Sequence, residues 1–374
     1  MLKQYKLKNY HFQLILYVSV LTIMGIMIIG SAKESVQSKQ ILGFVLGLIA
    51  MVVVSLIDYS FILRFKWIWY AIMIVLLLLV EVPNIGHSAG GAQRWIKIGE
   101  SFTFQPSEFA KIVIILFFAT FFMKHQENLN TIKTLGMSFG IVGVPLLCVI
   151  QQPDLSTTIV TAFIFVVLLF ISGLSYKIIV SVLAVAVPAV IILLSYAINL
   201  AQSTDKKVPY QLNRILAWLY PNDKRFSDLA IQQQNSIMAI GSGQLWGKGL
   251  KNSEATSMRN TNFIVEPQTD FIFAVVGEEL GFAGSAIMIL LLFLIVVECI
   301  YIASHAKDLA GRLICCGMAA LVGFQSFVNI CVTTGLMPNT GIPLPFVSYG
   351  LTSVVSLFIG IGFVLNVGLQ PKKY

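Results

Sequence analysis

Apolar runs long enough to cross a bilayer recur along this 374-residue chain almost from end to end. A helix needs roughly 20 apolar residues to cross about 30 Å of hydrocarbon, with a range of about 17–25. By that measure spans are predicted at 12–31, 41–57, 66–82, 107–123, 134–150, 156–173, 177–198, 270–303, 312–334 and 347–369. Charge is correspondingly scarce. Only 11% of residues are Asp, Glu, Lys or Arg and 57% are hydrophobic, where a soluble domain carries about 25% charged. Surface scaling would leave too much of that apolar side chain facing water in a soluble fold. The same abundance of apolar side chain excludes disorder. The expected fold class is an all-α polytopic membrane protein with ten transmembrane helices, forming a single domain over residues 1–374.

The first run follows MLKQYKLKNYHF and exceeds a signal-peptide core of about 7–15 residues, so it reads as an uncleaved first span. The run 270–303 is longer than one crossing needs, and a kink near Gly281 or an extension into the interface accounts for the excess. Orientation follows from the cations of the short loops and tails, which collect on the cytoplasmic side. Lys3, Lys6, Lys8, Arg64, Lys66, Lys124, Lys133, Lys177, Lys307, Arg312, Lys372 and Lys373 fall on one side, and Lys33, Lys39, Arg94 and Lys97 on the other. Both termini are therefore expected in the cytoplasm. The net charge of +8 then reads mainly as a topological signature and does not call for nucleic acid.

Two longer segments are expected outside: 83–106 between the third and fourth spans, and 199–269 between the seventh and eighth. A polar insertion as long as the second is functional or disordered. It holds cations at 206, 207, 214, 224, 225, 248, 251 and 259 against acids at 205, 223, 228, 254 and 266. Cys148, Cys299, Cys315, Cys316 and Cys331 sit in apolar runs without zinc-type spacing and read as reduced core thiols. The histidines at 11, 87, 125 and 305 are too scattered for a metal site. No internal repeat of the kind that builds inverted-repeat transporters is evident.

An ionisable residue in a membrane-embedded segment is costly and marks a functional hypothesis. In GGAQRWIKIGESFTFQPSEFAK (90–111), Arg94 can grip phosphate or carboxylate with two parallel hydrogen bonds, and Trp95 suits an interface. Pro106 and Ser107 are helix-start residues, with Glu108 in the favoured first turn. Glu108 and Lys111 share a helical face three residues apart. An interfacial anchor with one structural ion pair would look the same. Asp154, in QQPDLST, is either a helix cap or a functional acid, and the same choice applies to Asp270, which opens the eighth span. A carboxylate at the mouth of a bundle could take a proton from a sugar hydroxyl. Glu278 and Glu279 are adjacent, so at least one needs a partner on another helix. The uncharged stretch GLMPNTGIPLPFVSYG (335–350) carries three prolines that remove backbone donors. Non-helical backbone at membrane depth survives only when buried or lining a wet cavity, so a re-entrant segment between spans nine and ten is expected.

Read together, GAQRWI with QPSEFAK, QPDLST, AIGSGQLWGKG, EPQTDFIFAVVGEELGFAG and PNTGIPLPFVSYG resemble the SEDS family (shape, elongation, division and sporulation), most closely its RodA branch. The resemblance runs in order over most of the chain. It implies a ten-helix fold with a large external loop before the eighth helix. It also implies a peptidoglycan glycosyltransferase acting on lipid II at the outer membrane face, with a class B penicillin-binding protein as partner. By the resemblance, the essential aspartate falls on Asp270, and Arg94, Glu108, Lys111 and Asp154 match the family's other charged motif positions. Gln105, Pro106, Ser107, Trp95, Pro345 and Ser348 lie in the same motifs as supporting residues, with Glu278 and Glu279. Ser156, Gln244, Leu351 and the FIVEP run depart from the family's usual residues.

The mechanism this implies is inverting glycosyl transfer. Asp270 would be general base, while Arg94, Lys111 and Lys248 hold the leaving pyrophosphate. Glu108 would orient Lys111, and Asp154 would support the site or help hold a divalent cation, Mg or Mn; no organic cofactor is expected. The intramembrane acids also suit a lipid-linked precursor flippase or a small-solute carrier, which would move lipid without making polymer. A scaffold that recruits cell-wall enzymes would tolerate charge substitutions at 94, 111 and 270.

Overall fold

A computed structural model of the chain describes residues 10–83, 85–89, 92–99, 102–182, 210–223, 225, 227–251 and 266–370, with isolated positions between 184 and 198. Its membrane helices are α1 (Phe12–Ala32), α2 (Glu34–Leu56), α4 (Lys66–Leu79), α5 (Pro106–Lys124), α6 (Ile132–Gln151), α7 (Leu155–Ile171), α10 (Ile272–Ser304), α11 (Leu309–Thr333) and α12 (Leu351–Leu369). A short α3 (Tyr59–Arg64) precedes α4, while α8 (Tyr210–Leu219) and α9 (Ser227–Ser242) belong to the long segment ahead of α10. Seven of these helices are long and apolar enough to cross a membrane, and α4 and α7 are shorter apolar helices. The predicted span 177–198 is described only in part, to 182 and then at isolated positions, and Lys3, Lys6, Lys8, Lys206, Lys207, Lys224, Arg259, Lys372 and Lys373 lie outside the described residues. The five cysteines are unpaired, four of them buried.

Two departures from the sequence reading concern polar stretches. The second helix starts at Glu34, not at 41. Its polar first turns persist because they have buried work: Gln37 donates to the Ile26 carbonyl (3.3 Å), and Gln40 donates to that of Ser348 (3.1 Å). The 83–106 segment, expected only as an external loop, folds into a three-stranded antiparallel sheet of β1 (Gly86–Ala89), β2 (Ala92–Ile98) and β3 (Phe102–Phe104). His87 faces Trp95 across one pair and Ile96 faces Phe104 across the other. Strands this short carry too little alternation to announce themselves in sequence.

The bundle is organised around α5. A helix that is hydrophobic all round is buried, and α5 is buried at nearly every position from Pro106 to Phe122. Phe117, Phe118, Phe121 and Phe122 interlock along it, and Phe165 of α7 packs on Phe118 with centroids 4.9 Å apart. The chain passes directly from β3 through Gln105 into α5, with Pro106 at the first helical position.

Two irregular features shape the end of the bundle that carries the polar motifs. First, α10 is bent at Gly281, whose φ of 65° and ψ of −161° are non-helical. A Cβ there would lie 2.3 Å from the Gly247 nitrogen, so only glycine fits. The 243–251 loop enters this bend and pairs the backbone groups it frees. Lys248 and Gly249 donate to the carbonyls of Glu278 and Glu279, and Phe282 and Ala283 donate to those of Gln244 and Leu245, all at 2.8–3.0 Å. Before the bend α10 is buried on every side; after it, only one face is buried. Second, residues 335–350 run without helix, exposed at Leu336 and in the protein interior from Ile342 to Ser348. Ile342, Leu344, Phe346, Val347 and Ser348 are all buried, as irregular backbone among membrane helices must be. Tyr349 donates to the Gln268 carbonyl (2.8 Å) and Gly350 to Oε1 of Gln40 (3.1 Å).

Candidate active site

The polar motifs converge where β2, the starts of α5, α7 and α10, and the 335–350 segment meet. The predicted eighth span begins at 270, but α10 starts at Ile272, leaving Asp270 in the turn ahead of the helix. No side chain caps α10, so capping does not account for the Asp270 carboxylate. Its backbone is held firmly instead. Asn329 of α11 donates through Nδ2 to the carbonyls of Asp270 (2.8 Å) and Ile342 (2.7 Å). Ser348 donates to the Thr269 carbonyl (2.7 Å) and accepts from the Leu344 N–H (2.8 Å).

Asp270 is half-buried and sits among charges. Burial pushes its carboxyl above the ordinary range; Arg214 and Arg94 pull it down, while Glu266 and Asp154 push it up. Gly341, at φ 74°, leaves a gap beside it: a Cβ there would lie 3.2 Å from Asp270 Oδ2 and 3.1 Å from Arg214 Nη1. Arg94, on β2, donates to the Pro153 carbonyl (2.5 Å) and holds Nη1 3.8 Å from Asp154 Oδ1. Its buried Nε has no hydrogen-bond partner. Asp154 does cap its helix, accepting from the Thr157 N–H (3.1 Å) and hydroxyl (2.9 Å). Cap and charge partner thus coexist in one residue. Ser156, one of the departures from the family pattern, donates to the Thr340 carbonyl and so ties α7 to the 335–350 segment.

The Glu108–Lys111 pair forms as the spacing predicts, at 2.7 Å, with Ser353 of α12 donating to the other Glu108 oxygen at 2.7 Å. Lys111 is only 1% exposed. The sequence reading expects it as a pyrophosphate ligand; here its ammonium is paired with Glu108 in the first turn of α5. Gln105 immediately precedes the helix: its N–H donates to the Thr352 hydroxyl (3.3 Å) and its amide to that of Ser107 (3.2 Å). Trp95 lies on β2, half-buried, and Pro345 is buried within the irregular segment.

Lys248, also expected on the pyrophosphate, forms an ion pair with Glu278 (3.1 Å). Glu279 accepts from Ser31 of α1, whose hydroxyl also accepts from the Lys251 N–H (2.8 Å). The two adjacent acids thus find partners on different elements, as their spacing requires, and they fasten the 243–251 loop to the bend. Arg214 is the residue that sequence reasoning passed over. It appeared only among the loop cations, and no spacing in the chain links it to Asp270. Among the described residues no three His, Cys, Asp or Glu side chains gather as a metal site.

The family model for cell cycle proteins of the FtsW, RodA and SpoVE type matches residues 3–373. A probable peptidoglycan glycosyltransferase FtsW of Trichlorobacter lovleyi is 31% identical, covering 99% of this chain and 96% of that protein. The stage V sporulation protein E of Bacillus subtilis is 35% identical over 89% of this chain and 87% of its own length. The peptidoglycan glycosyltransferase MrdB of Escherichia coli is 34% identical over 96% and 93%. Among solved structures, a chain of a peptidoglycan synthase complex that coordinates polymerization and crosslinking superposes with a TM-score of 0.76, at 26% identity over 96% of this chain and 97% of that one. The rod shape determining protein RodA of Thermus thermophilus shares the fold, with a TM-score of 0.67 at 24% identity over 96% of both chains.

Proposed function

Because the chain belongs to the FtsW, RodA and SpoVE family of cell cycle proteins, we propose that it polymerises lipid II into glycan strands at the outer face of the cytoplasmic membrane. It is a multi-pass membrane glycosyltransferase of cell-wall synthesis, acting in rod-shape elongation or a related process. Both termini lie in the cytoplasm in this reading, which follows the distribution of cations in the short loops. The 1–374 chain works as one ten-helix domain. Its partner is a class B penicillin-binding protein that crosslinks the product, a reading supported by the likeness to a synthase complex that couples the two activities.

The acceptor sugar's 4-hydroxyl gives its proton to Asp270 while its oxygen bonds to the donor's anomeric carbon. The bond from that carbon to the lipid pyrophosphate breaks, and the electron pair leaves with the phosphate. Inversion follows from attack opposite the leaving group. A base works best when its pKa approaches the operating pH, and burial moves Asp270 in that direction. Arg94, with an unpartnered buried Nε, supplies positive charge where the leaving group's negative charge develops. Asp154 fixes Arg94 and the start of α7. Glu108 and Lys111 support the first turn of α5, and Lys248 with Glu278 supports the bend in α10.

One observation carries this reading. Asp270 is a half-buried carboxylate with no capping duty, held by its backbone beside two arginines. The test is to give lipid II to purified wild-type and Asp270→Ala protein, with and without a co-purified penicillin-binding protein, and to resolve glycan polymer on a gel. Polymer from the wild type alone supports the assignment; equal polymer from both overturns Asp270 as base. Movement of labelled lipid II across vesicles without polymer would instead favour a flippase.

A further inference from the structure

Two opposite charges flank the gap at Gly341. The Asp270 carboxylate and the Arg214 guanidinium lie 3.2 and 3.1 Å from the same point, the place a Cβ would occupy. They come from different elements, Asp270 from the turn before α10 and Arg214 from α8. That helix carries its own small apolar cluster, in which Leu216 and Ala217 pack with Ala230. Trp218 donates from its indole to the Gly335 carbonyl at 2.9 Å, so α8 is fastened to the same irregular segment that holds Asp270. Of the neighbouring charges felt by Asp270, that of Arg214 is the strongest, ahead of Glu266, Arg94 and Asp154.

We propose that Arg214 is a ligand of the donor's lipid pyrophosphate, acting across the Gly341 gap from Asp270 and together with Arg94. This rests on the glycosyltransferase reading above. The physical reason is the charge balance of the step. Before reaction, the Asp270 carboxylate offsets part of the Arg214 charge. When Asp270 takes the acceptor proton it becomes neutral, and its share of that offset is removed. At the same moment the carbon–oxygen bond breaks and the pyrophosphate gains negative charge. The proton transfer therefore strengthens the hold on the leaving group as it departs, which is the differential stabilisation that lowers a barrier. A guanidinium suits this task because its planar fork grips two phosphate oxygens at once.

The test measures binding separately from turnover. Undecaprenyl pyrophosphate and undecaprenyl phosphate are titrated into the purified full-length chain in detergent. The proteins compared are wild type, Arg214→Ala, Arg214→Lys and, as a control, Arg225→Ala, which alters an exposed pair with Asp223 in the same external segment. Arg214→Ala is expected to bind the pyrophosphate lipid about tenfold more weakly, as losing a charge-assisted hydrogen bond predicts, with a smaller change for the monophosphate. Arg214→Lys should recover part of the loss, Arg225→Ala should match wild type, and the KM for lipid II should rise in Arg214→Ala. Wild-type discrimination between the two lipids in Arg214→Ala overturns the proposal. If that variant does not fold, Arg214→Lys decides: undiminished discrimination there overturns it, and a loss supports it. A wild-type protein that binds both lipids but makes no polymer would count against the glycosyltransferase reading itself.

Discussion

Asn329 holds Asp270 by its backbone: one amide nitrogen donates both to the Asp270 carbonyl at 2.8 Å and to the Ile342 carbonyl at 2.7 Å. The side chain from α11 thus locks the turn that carries the carboxylate to the segment that closes over it. The carboxylate itself stays available.

Asn329→Ala should therefore damage activity without touching a reacting group. Two buried carbonyls lose their donor, at about 1–3 kcal/mol for each buried group left unsatisfied. The expected result is a lower melting temperature and a polymerisation rate reduced in kcat more than in KM. Wild-type kcat in a correctly folded variant would show that the Asp270 turn needs no such lock.

Asp270→Asn separates charge from shape. Proton abstraction by a positioned base contributes about 10²–10⁴-fold, so kcat should fall within that range with little change in KM. Stability should move the other way. A carboxyl raised by burial binds its proton more tightly in the folded state, so its ionised form opposes folding above the folded pKa. That penalty fades as pH falls through the folded pKa towards the unfolded value. Asp270→Asn should accordingly melt higher than wild type at neutral pH, and the difference should shrink in acid. Thermal unfolding in detergent across pH measures this.

The same raised pKa fixes the direction of the rate profile. Activity should fall as pH drops through the Asp270 pKa, giving an acid limb above the ordinary carboxylate value of 3.8. Arg94→Ala removes a cation that lowers that pKa and should move the limb to higher pH. Glu266→Gln removes an anion that raises it and should move the limb lower. Rates of lipid II polymerisation against pH, compared as kcat/KM, read both shifts.

Glu108 and Lys111 form a buried ion pair, and breaking one side strands the other. Lys111→Ala should destabilise the protein by about 3–5 kcal/mol. The double variant Glu108→Gln, Lys111→Met should recover much of that stability, because it leaves no lone buried charge. Denaturation midpoints of the three proteins decide it; equal stability of single and double variants would deny the pair its structural role.

Gly281→Ala forces a side chain into backbone space that only glycine tolerates, costing about 1–3 kcal/mol in strain alone. Its Cβ would meet the Gly247 nitrogen at 2.3 Å, so the 243–251 loop must leave the bend. Faster proteolysis within 243–251 and a lower melting temperature are expected.

Much of this architecture is legible in the residues themselves. Long apolar runs declare membrane helices, the spacing of Glu108 and Lys111 declares a shared helical face, and the excess length of the 270–303 run leaves a kink near Gly281 or an interfacial extension, of which the structure shows the kink. What stays hidden depends on distant parts of the chain. The start of α2 looks too polar for a helix among membrane spans until Gln40 meets Ser348. Asp270 reads equally well as a cap until the structure leaves α10 uncapped. The partner of Lys248 is also distant in sequence, since only the folded loop brings it to Glu278. Arg214 has no local signal at all, since its place near Asp270 depends on helix α8 being tied to the 335–350 segment.

The enclosure of α5 bears on how the protein meets different bilayers. Bacterial membranes vary in thickness and fluidity, and helices in contact with lipid absorb that variation by tilting. Here α2 and α6 present much of their surface outward, whereas α5 is wrapped by protein along nearly its whole length. The helix that carries Glu108 and Lys111 is thus insulated from its solvent. Changes in lipid composition should be taken up at the periphery, leaving the geometry beneath the reaction centre constant across growth temperatures.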